Sequence, residues 1–272
     1  MKQNLRPLIT AICGVVLTLP IIARADTSFT VNNTTADAFL ASGSPGNPVG
    51  TNLTSLNFGG AGTLAIAPAS SAKGEFDSVI KFNLAGAVSQ FNTTYGAGKW
   101  QITGLTLSLA SNFGGQGEQP NNGIFNSINA GNFGITWLAY DNWVEGSGGG
   151  MGSPGFPNNS SVSFNSIPTL FSAGSDSLGT YAYAPPGDNI YANYTLPLDA
   201  NLVADAAAGG DVSLYFYAAD NQVSYLFNAR SFASNRPEFT LSAAPTPEPA
   251  TWVMMTLALG GFVAVRRRKM KV

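Results

Sequence analysis

The sequence of 272 residues contains no histidine and a single cysteine, Cys13. Zinc sites built from cysteine or histidine are therefore excluded. Ser-His-Asp and Cys-His catalytic arrangements are excluded for the same reason. Because Cys13 lies in an N-terminal leader that we expect to be removed, we also expect no disulfide in the mature chain. The remaining side-chain chemistry is that of carboxylates, hydroxyls, amides and aromatic rings.

Positive charge is scarce in the main part of the chain. Residues 26–243 hold five of the 13 basic residues and 14 of the 15 acidic residues, so their net charge is −9 rather than the −2 of the whole sequence. The five basic residues are Lys73, Lys81, Lys99, Arg230 and Arg236. Phosphate binding needs a basic surface, which excludes nucleic acid as a partner.

The N-terminus has the pattern of a secretory signal peptide. Lys2 and Arg6 precede an apolar stretch at residues 8–22, and Ala23-Arg24-Ala25 has the small-x-small pattern of a cleavage site. We therefore predict a signal peptide at residues 1–25, with cleavage between Ala25 and Asp26. The chain is predicted to be exported.

A second uncharged stretch lies at the C-terminus. Residues 250–265 contain no charge, although this span is slightly shorter than the roughly 20 residues that cross a bilayer comfortably. The basic residues Arg266, Arg267, Arg268, Lys269 and Lys271 follow it. Such a cluster prefers the cytoplasmic face, which predicts a transmembrane helix with a stop-transfer signal. An ordinary membrane anchor would explain these features, but not Pro247-Glu248-Pro249 immediately before the span.

The triplet, the span and the basic cluster together resemble the PEP-CTERM sorting signal of Gram-negative bacteria. The resemblance implies processing by an exosortase, a membrane-embedded enzyme. It also implies a precursor held transiently in the inner membrane and a product at the cell surface or outside the cell. We therefore predict three regions: the signal peptide 1–25, a domain at 26–243, and a sorting signal at 244–272.

Short runs of alternating apolar residues fill the domain. They predict roughly ten strands in an all-β, antiparallel β-sandwich. A change of parity at Gly104 predicts a β-bulge, and residues 212–218 and 223–229 are predicted to form a hairpin. One helix is predicted between Asp199 as N-cap and Gly209 as stop, with less than about a tenth of the domain helical.

Several landmarks occur in the order found in the DNRLRE family of secreted jelly-roll modules, which are related in fold to carbohydrate-binding modules. The landmarks are residues 37–40, 57–59, 64–66, 78–84, 143–146, 229–231 and 235–239. The domain resembles this family over residues 37–242, although Ser231 replaces the acidic residue that follows the arginine in the family. The resemblance implies a jelly-roll-like sandwich.

Few residues are candidates for a binding site. Trp143, in an Asp-Asn-Trp loop, is the candidate glycan contact, because an aromatic face packs well on a sugar ring. Trp137 is in phase with the buried face of its strand. The tyrosines at 181, 183, 191, 215, 217 and 225 could belong to a sugar-stacking platform or to the core.

The charged residues suggest structural roles. Glu75 with Asp77, and Asp141 with Glu145, are carboxylate pairs, but their spacing does not establish the geometry of a glycosidase, so no catalytic residue is predicted. Arg230 and Arg236 are expected to pair with carboxylates. No cofactor is predicted. Calcium is a candidate structural ion, with possible ligands Asp26, Asp37, Asp77, Asp188 and Asp220, although no EF-hand spacing occurs.

Three functions are compatible with these observations. The favoured one is a non-enzymatic cell-surface or matrix protein, sorted by an exosortase and associated with extracellular polysaccharide. The first alternative is a carbohydrate-binding module that recognises a specific glycan. The second is a polysaccharide hydrolase. The sequence identifies neither a ligand nor an oligomeric state.

Overall fold

A computed structural model describes residues 25–32, 34–45, 52–112, 131–149, 161–183 and 187–246. The strands are β1 Thr27–Val31, β2 Thr34–Ala41, β3 Thr63–Ile66, β4 Phe76–Asn83, β5 Trp100–Ala110, β6 Asn132–Leu138, β7 Ser175–Ala182, β8 Tyr191–Leu196, β9 Asp211–Ala218, β10 Tyr225–Asn228 and β11 Glu238–Pro245. The helices are α1 Ala85–Tyr95, α2 Ile167–Leu170 and α3 Ala200–Ala208, and a 3₁₀ turn covers Phe164–Ser166.

The strands form an antiparallel β-sandwich, as predicted. One sheet has the order β1-β11-β5-β8, and the other has the order β2-β4-β9-β6-β7. A small sheet of β10 and β3 completes the structure. All the strand pairs in these sheets are antiparallel.

Alternation of apolar residues places the main core between the two large sheets. Phe133, Ile135 and Trp137 of β6 enter this core, and Phe239 and Leu241 of β11 enter it from the opposite sheet. Each of these side chains is at most 8% exposed. The period-2 pattern therefore predicted the inward faces of both strands correctly.

A second apolar cluster covers the outer face of the five-stranded sheet. There Ala38, Leu40 and Val79 contact Trp143 and Val162, which belong to the chain between β6 and β7. A strand position that points away from the main core is therefore still buried here. This second layer explains why β4 is buried at seven of its eight positions.

The predicted bulge and helix are both present. Ser242 pairs with Gly104 and Ala243 with Ile102, so the register shifts by one residue beside Gly104. The Asp199 carboxylate caps α3 by accepting hydrogen bonds from the N–H groups of Asn201 and Leu202. Gly209 ends the helix in the left-handed conformation, with φ of 76°.

Helix α1 was not predicted, and helices make up 15% of the structure rather than less than a tenth. Ala87, Phe91 and Tyr95 are its buried residues, and they are spaced by four. This spacing places all three on one face of a helix, against the core. The helical spacing was present in the sequence, but the polar residues between these three positions obscured it.

The predicted hairpin of residues 212–218 and 223–229 is wrong. Strand β9 lies between β4 and β6, so both of its edges are already paired. Strand β10 pairs with β3 instead. The Asp220 carboxylate accepts hydrogen bonds from the N–H groups of Gln222, Val223 and Asn132, and this cap turns the chain away from β9.

The alternating residues Ile190, Ala192, Tyr194, Leu196 and Leu198 predict one inward face, which is correct only at its centre. Tyr194 and Leu196 are 6% and 3% exposed, whereas Ile190 and Leu198 are 48% and 50% exposed. Strand β8 covers only residues 191–196 and lies at the edge of its sheet. Ile190 and Leu198 lie beyond its ends, where the alternation no longer directs side chains inward.

Candidate functional site

A polar cleft of about 520 Å³ lies beside the outer face of the five-stranded sheet. Its lining residues are Thr35, Ala36, Lys81, Trp143, Val144, Glu145, Gly146, Ser147, Ser161 and Asp211. The cleft therefore contains Trp143, the predicted glycan contact, together with Glu145 of the second carboxylate pair. The structure brings these two predicted residues together at one surface.

Trp143 is held firmly at the base of this cleft. It is 5% exposed, and its Nε1 donates a hydrogen bond of 2.9 Å to Ser213 Oγ. Ser213 Oγ in turn donates to Asp141 Oδ1 at 2.6 Å. Burial raises the pKa of Asp141, although the bond from Ser213 opposes the rise. A sugar could stack on the indole only if the surrounding loop moved, so a glycan contact at Trp143 stays a prediction.

Lys81 lies between the inward-facing Ile80 and Phe82 on β4, so the alternation predicts a polar outer face there, yet Lys81 is only 8% exposed. Its Nζ donates to the carbonyl oxygens of Asp141 and Trp143 at 2.7 and 3.0 Å. It lies 4.8 Å from the centre of the Trp143 ring and 3.9 Å from Asp211 Oδ2. Two carbonyls, an aromatic face and a carboxylate therefore compensate its desolvation. Lys81 fixes the loop that carries Trp143.

A second group of residues joins loops that are distant in the sequence. Arg230 Nη2 lies 2.5 Å from Glu145 Oε2, which confirms the predicted pairing of this arginine with a carboxylate. The Arg230 N–H also donates to Asp37 Oδ2. Asn57 Nδ2 donates to the carbonyl oxygens of Glu145 and Val162 at 2.6 and 2.8 Å. We call Asp37, Asn57, Glu145 and Arg230 the loop clasp.

The loop clasp contains residues from four of the landmarks that resemble the DNRLRE family. Their convergence gives the landmarks a structural role, because their contacts join strand β2 to chain segments that are distant in the sequence. Arg236, from another landmark, is exposed, and its Nε donates to the carbonyl oxygen of Phe232 at 3.0 Å. No carboxylate partner of Arg236 is found in the described part of the chain.

Two carboxyl groups are buried on opposite faces of the five-stranded sheet. Burial raises the pKa of Asp37 to about 7, against the opposing effect of the Arg230 N–H. Burial likewise raises the pKa of Asp77 to about 7, against the hydrogen bond of 2.6 Å from the Tyr215 hydroxyl. Neither side chain is more than 2% exposed, so neither carboxyl group belongs to a solvent-exposed pair of carboxylates.

The aspartates considered for calcium do not converge. Asp37 and Asp77 belong to the buried positions just described, Asp220 caps a turn, and Asp26 Oδ2 accepts a hydrogen bond from Thr103 Oγ1. Across the described ranges, no group of three or more acidic, histidine or cysteine side chains is arranged to hold a metal ion. Calcium binding therefore stays a prediction.

A second cleft, of about 390 Å³, lies between the edge strands β7 and β8. It is lined by Tyr181, Ala182, Tyr191, Ala192, Asn193, Tyr194 and Thr195. The Tyr181 hydroxyl is within hydrogen-bond distance of the carbonyl oxygens of Leu178 and Thr195, at 2.9 and 3.3 Å. Aromatic rings and the exposed Asn193 side chain therefore line the same cleft.

The two ends of the domain lie side by side. Thr27 of β1 pairs with Ala243 of β11. The Tyr95 hydroxyl lies 3.1 Å from the Ala25 carbonyl oxygen, 2.8 Å from Thr27 Oγ1 and 2.9 Å from the Ala243 carbonyl oxygen. The predicted cleavage site after Ala25 is therefore adjacent to the start of the predicted sorting signal.

Residues 245–269 match the family model of the PEP-CTERM protein-sorting motif. The chain carries a PEP-CTERM sorting signal. This motif implies processing by an exosortase, with export and passage through the membrane during sorting. No curated protein matches the chain. The resemblance of the domain to DNRLRE modules stays a hypothesis, because the match is confined to the PEP-CTERM segment.

The residues predicted for recognition, membrane insertion and stop-transfer lie outside the described ranges. They are Pro247, Glu248 and Pro249, the span 250–265, and the basic residues Arg266, Arg267, Arg268 and Lys269. In the described part of the chain, no helix is both long and apolar enough to cross a membrane.

Proposed function

We propose that this protein is a non-enzymatic component of the cell surface or extracellular matrix that associates with extracellular polysaccharide after exosortase processing. The PEP-CTERM match carries the proposal, because it assigns the chain to a route that ends outside the cytoplasm. The chemistry of the domain supports it. The buried Asp37 and Asp77 each have one carboxylate oxygen in a structural hydrogen bond, from the Arg230 N–H and the Tyr215 hydroxyl, and both side chains are shielded from solvent.

We propose the same boundaries that the sequence predicts: a signal peptide at 1–25, the domain at 26–243 and the sorting signal at 244–272. Pro247-Glu248-Pro249 is the recognition element in this proposal. Two prolines fix φ and lack N–H donors, which keeps this segment extended for an enzyme to bind. Arg266 to Lys269 stop translocation, because basic residues favour the cytoplasmic side.

Glu248→Gln tests the recognition element. The substitution removes a charge outside the apolar span, so it should leave membrane insertion almost unchanged. If the triplet is a recognition element, the variant protein should then accumulate as an inner-membrane precursor that is heavier than the mature protein by the mass of the tail. Glu75→Gln is the matched control, since it removes one carboxylate from the domain and should be processed normally. If wild-type mature protein retains its tail and Glu248→Gln changes nothing, the chain is simply anchored.

The cleft between β7 and β8 favours a second candidate function, the recognition of a specific glycan. Tyr181 and Tyr191 offer aromatic surface, and Asn193 offers an exposed amide beside them. Affinity electrophoresis in gels that contain the host's own exopolysaccharide tests this function. Retardation that is lost in Asn193→Ala but kept in Thr93→Ala, at an exposed position of helix α1, would support it. Equal mobility of all three proteins with and without polysaccharide would contradict it.

A further inference from the structure

The last residues of the folded domain are also the first residues of the sorting motif. Strand β11 ends at Pro245, which pairs with Trp100 of β5. One residue later, the Thr246 N–H donates to the Lys99 carbonyl oxygen at 2.9 Å. The PEP-CTERM match begins at residue 245. Pro245 and Thr246 therefore belong to the sheet and to the sorting motif at once.

Little chain is available beyond this point. Residues 247–249 alone separate Thr246 from the apolar stretch that starts at Ala250. An extended chain from Thr246 to Ala250 spans at most about 14 Å. The polar layer on one side of a bilayer already accounts for about 5–7 Å. An enzyme that binds an extended segment around the triplet therefore needs residues that the sheet holds.

The sheet has a natural point of release just before these residues. Up to Ala243, β11 lies between β1 and β5, and the Ala243 carbonyl oxygen accepts from the Tyr95 hydroxyl. Beyond Ala243, β5 is the only described strand that pairs with β11. Ala243 is fully buried, whereas Ala244, Pro245 and Thr246 are half-buried. Detachment of these three residues leaves the core intact.

We infer that residues 244–246 are part of the segment that the exosortase binds, and that they leave the sheet when it does so. Ala243, held by Tyr95, is the point at which detachment stops. This inference rests on processing by an exosortase. It assigns a function to the half-buried end of β11, and it explains why the domain and the motif overlap.

An engineered disulfide tests the inference in the full-length chain. Ala244 and Gln101 are paired partners on β11 and β5. Cα atoms of antiparallel partners lie about 4.5–5.5 Å apart, which a disulfide can bridge. Because the only native cysteine, Cys13, lies in the leader, Ala244→Cys with Gln101→Cys gives a single possible bridge in the mature chain. The exported compartment allows the bridge to form.

We expect the Ala244→Cys, Gln101→Cys protein to lose conversion from precursor to mature form, and reductant added to the cells to restore it. The matched control is Thr240→Cys with Thr106→Cys, a pair further along the same two strands. It leaves the end of β11 free and should be processed normally. Conversion of the Ala244 pair at the wild-type rate, or equal loss in both pairs, would overturn the inference.

A second variant excludes misfolding as the cause. Insertion of a second Ala-Pro-Thr after Thr246, in the Ala244→Cys, Gln101→Cys background, adds no cysteine, leaves the cross-linked copy in the sheet and supplies another copy to the enzyme. Conversion should then return, and failure to return would overturn the inference. Wild-type protein that keeps its tail would instead refute exosortase processing itself, before any cysteine variant is compared.

Discussion

Substitution of Asp77 by asparagine should change how the stability of the domain depends on pH. Asp77 lies on β4 beneath the outer apolar layer and is 2% exposed. Its Oδ2 accepts from the Tyr215 hydroxyl, and its Oδ1 is buried with no hydrogen-bond partner among the described residues. Burial raises its pKa from 3.8 to about 7, the Tyr215 bond opposes this, and the nearby Glu75 adds to it.

The sign of the effect follows from proton binding. The folded-state pKa is higher than the unfolded-state pKa, so between about pH 4 and 7 the folded protein holds a proton that the unfolded chain releases. The free energy of unfolding therefore falls as pH rises through this window. One such group gives a slope of about −1.4 kcal/mol per pH unit, or about 4 kcal/mol over the window. Asp37, with a pKa of about 7, acts in the same direction.

Urea unfolding of residues 26–246 at several pH values from about 5 to about 8, followed by tryptophan fluorescence, measures this slope. Asp77→Asn cannot ionise, so its unfolding free energy should fall less steeply than that of the wild type. It should exceed the wild-type value at the alkaline end. Asp26→Asn, at an exposed position, should keep the wild-type slope. A wild-type stability that rises from pH 5 to 7, or an unchanged slope in Asp77→Asn, would refute the reasoning.

Three further substitutions test the packing of the loops and chain ends. Arg230→Met should lower the free energy of unfolding by about 1–2 kcal/mol, since it leaves Glu145 half-buried and unpaired. In the same urea titration, Arg236→Met should change the free energy of unfolding by less than about 0.5 kcal/mol. Tyr95→Phe should cost about 1 kcal/mol and increase hydrogen exchange in β1, because the hydroxyl joins β1 to β11; unchanged exchange there would contradict this role. Gly59→Ala should lower the melting temperature and reduce the free energy of unfolding by about 1–3 kcal/mol, because the added Cβ would clash with the Glu145 backbone that Asn57 binds. The control is Gly98→Ala, whose added Cβ meets no atom within 4 Å and whose only strain comes from the positive φ of 69°.

The sequence predicted the sandwich because alternation reports on the immediate environment of a strand. Phe133, Ile135 and Trp137 show the period-2 pattern and all enter the core. Strand pairing depends on which edges are free, and no local pattern records that. Thus β9 and β10 were predicted as a hairpin, although β4 and β6 already occupy both edges of β9.

The types of interaction in the candidate site were predictable from the sequence, but the partners that the fold brings together were not. The scarcity of basic residues indicated that Arg230 would pair with a carboxylate, and it pairs with Glu145. The partners Asp37 and Glu145 are 193 and 85 positions away from Arg230, so their meeting is a property of the fold. The same holds for Lys81, whose polar face is covered by a loop that starts about 60 residues later.

The pairing of β1 with β11 determines when the domain can fold. Export begins at the N-terminus, so β1 is the first strand to emerge and β11 is the last. Their sheet cannot be completed until the entire domain has crossed the membrane, and contacts between such distant segments form slowly. This sheet can therefore close only as the sorting signal itself reaches the membrane. The domain therefore completes its fold at the time when the sorting signal reaches the membrane.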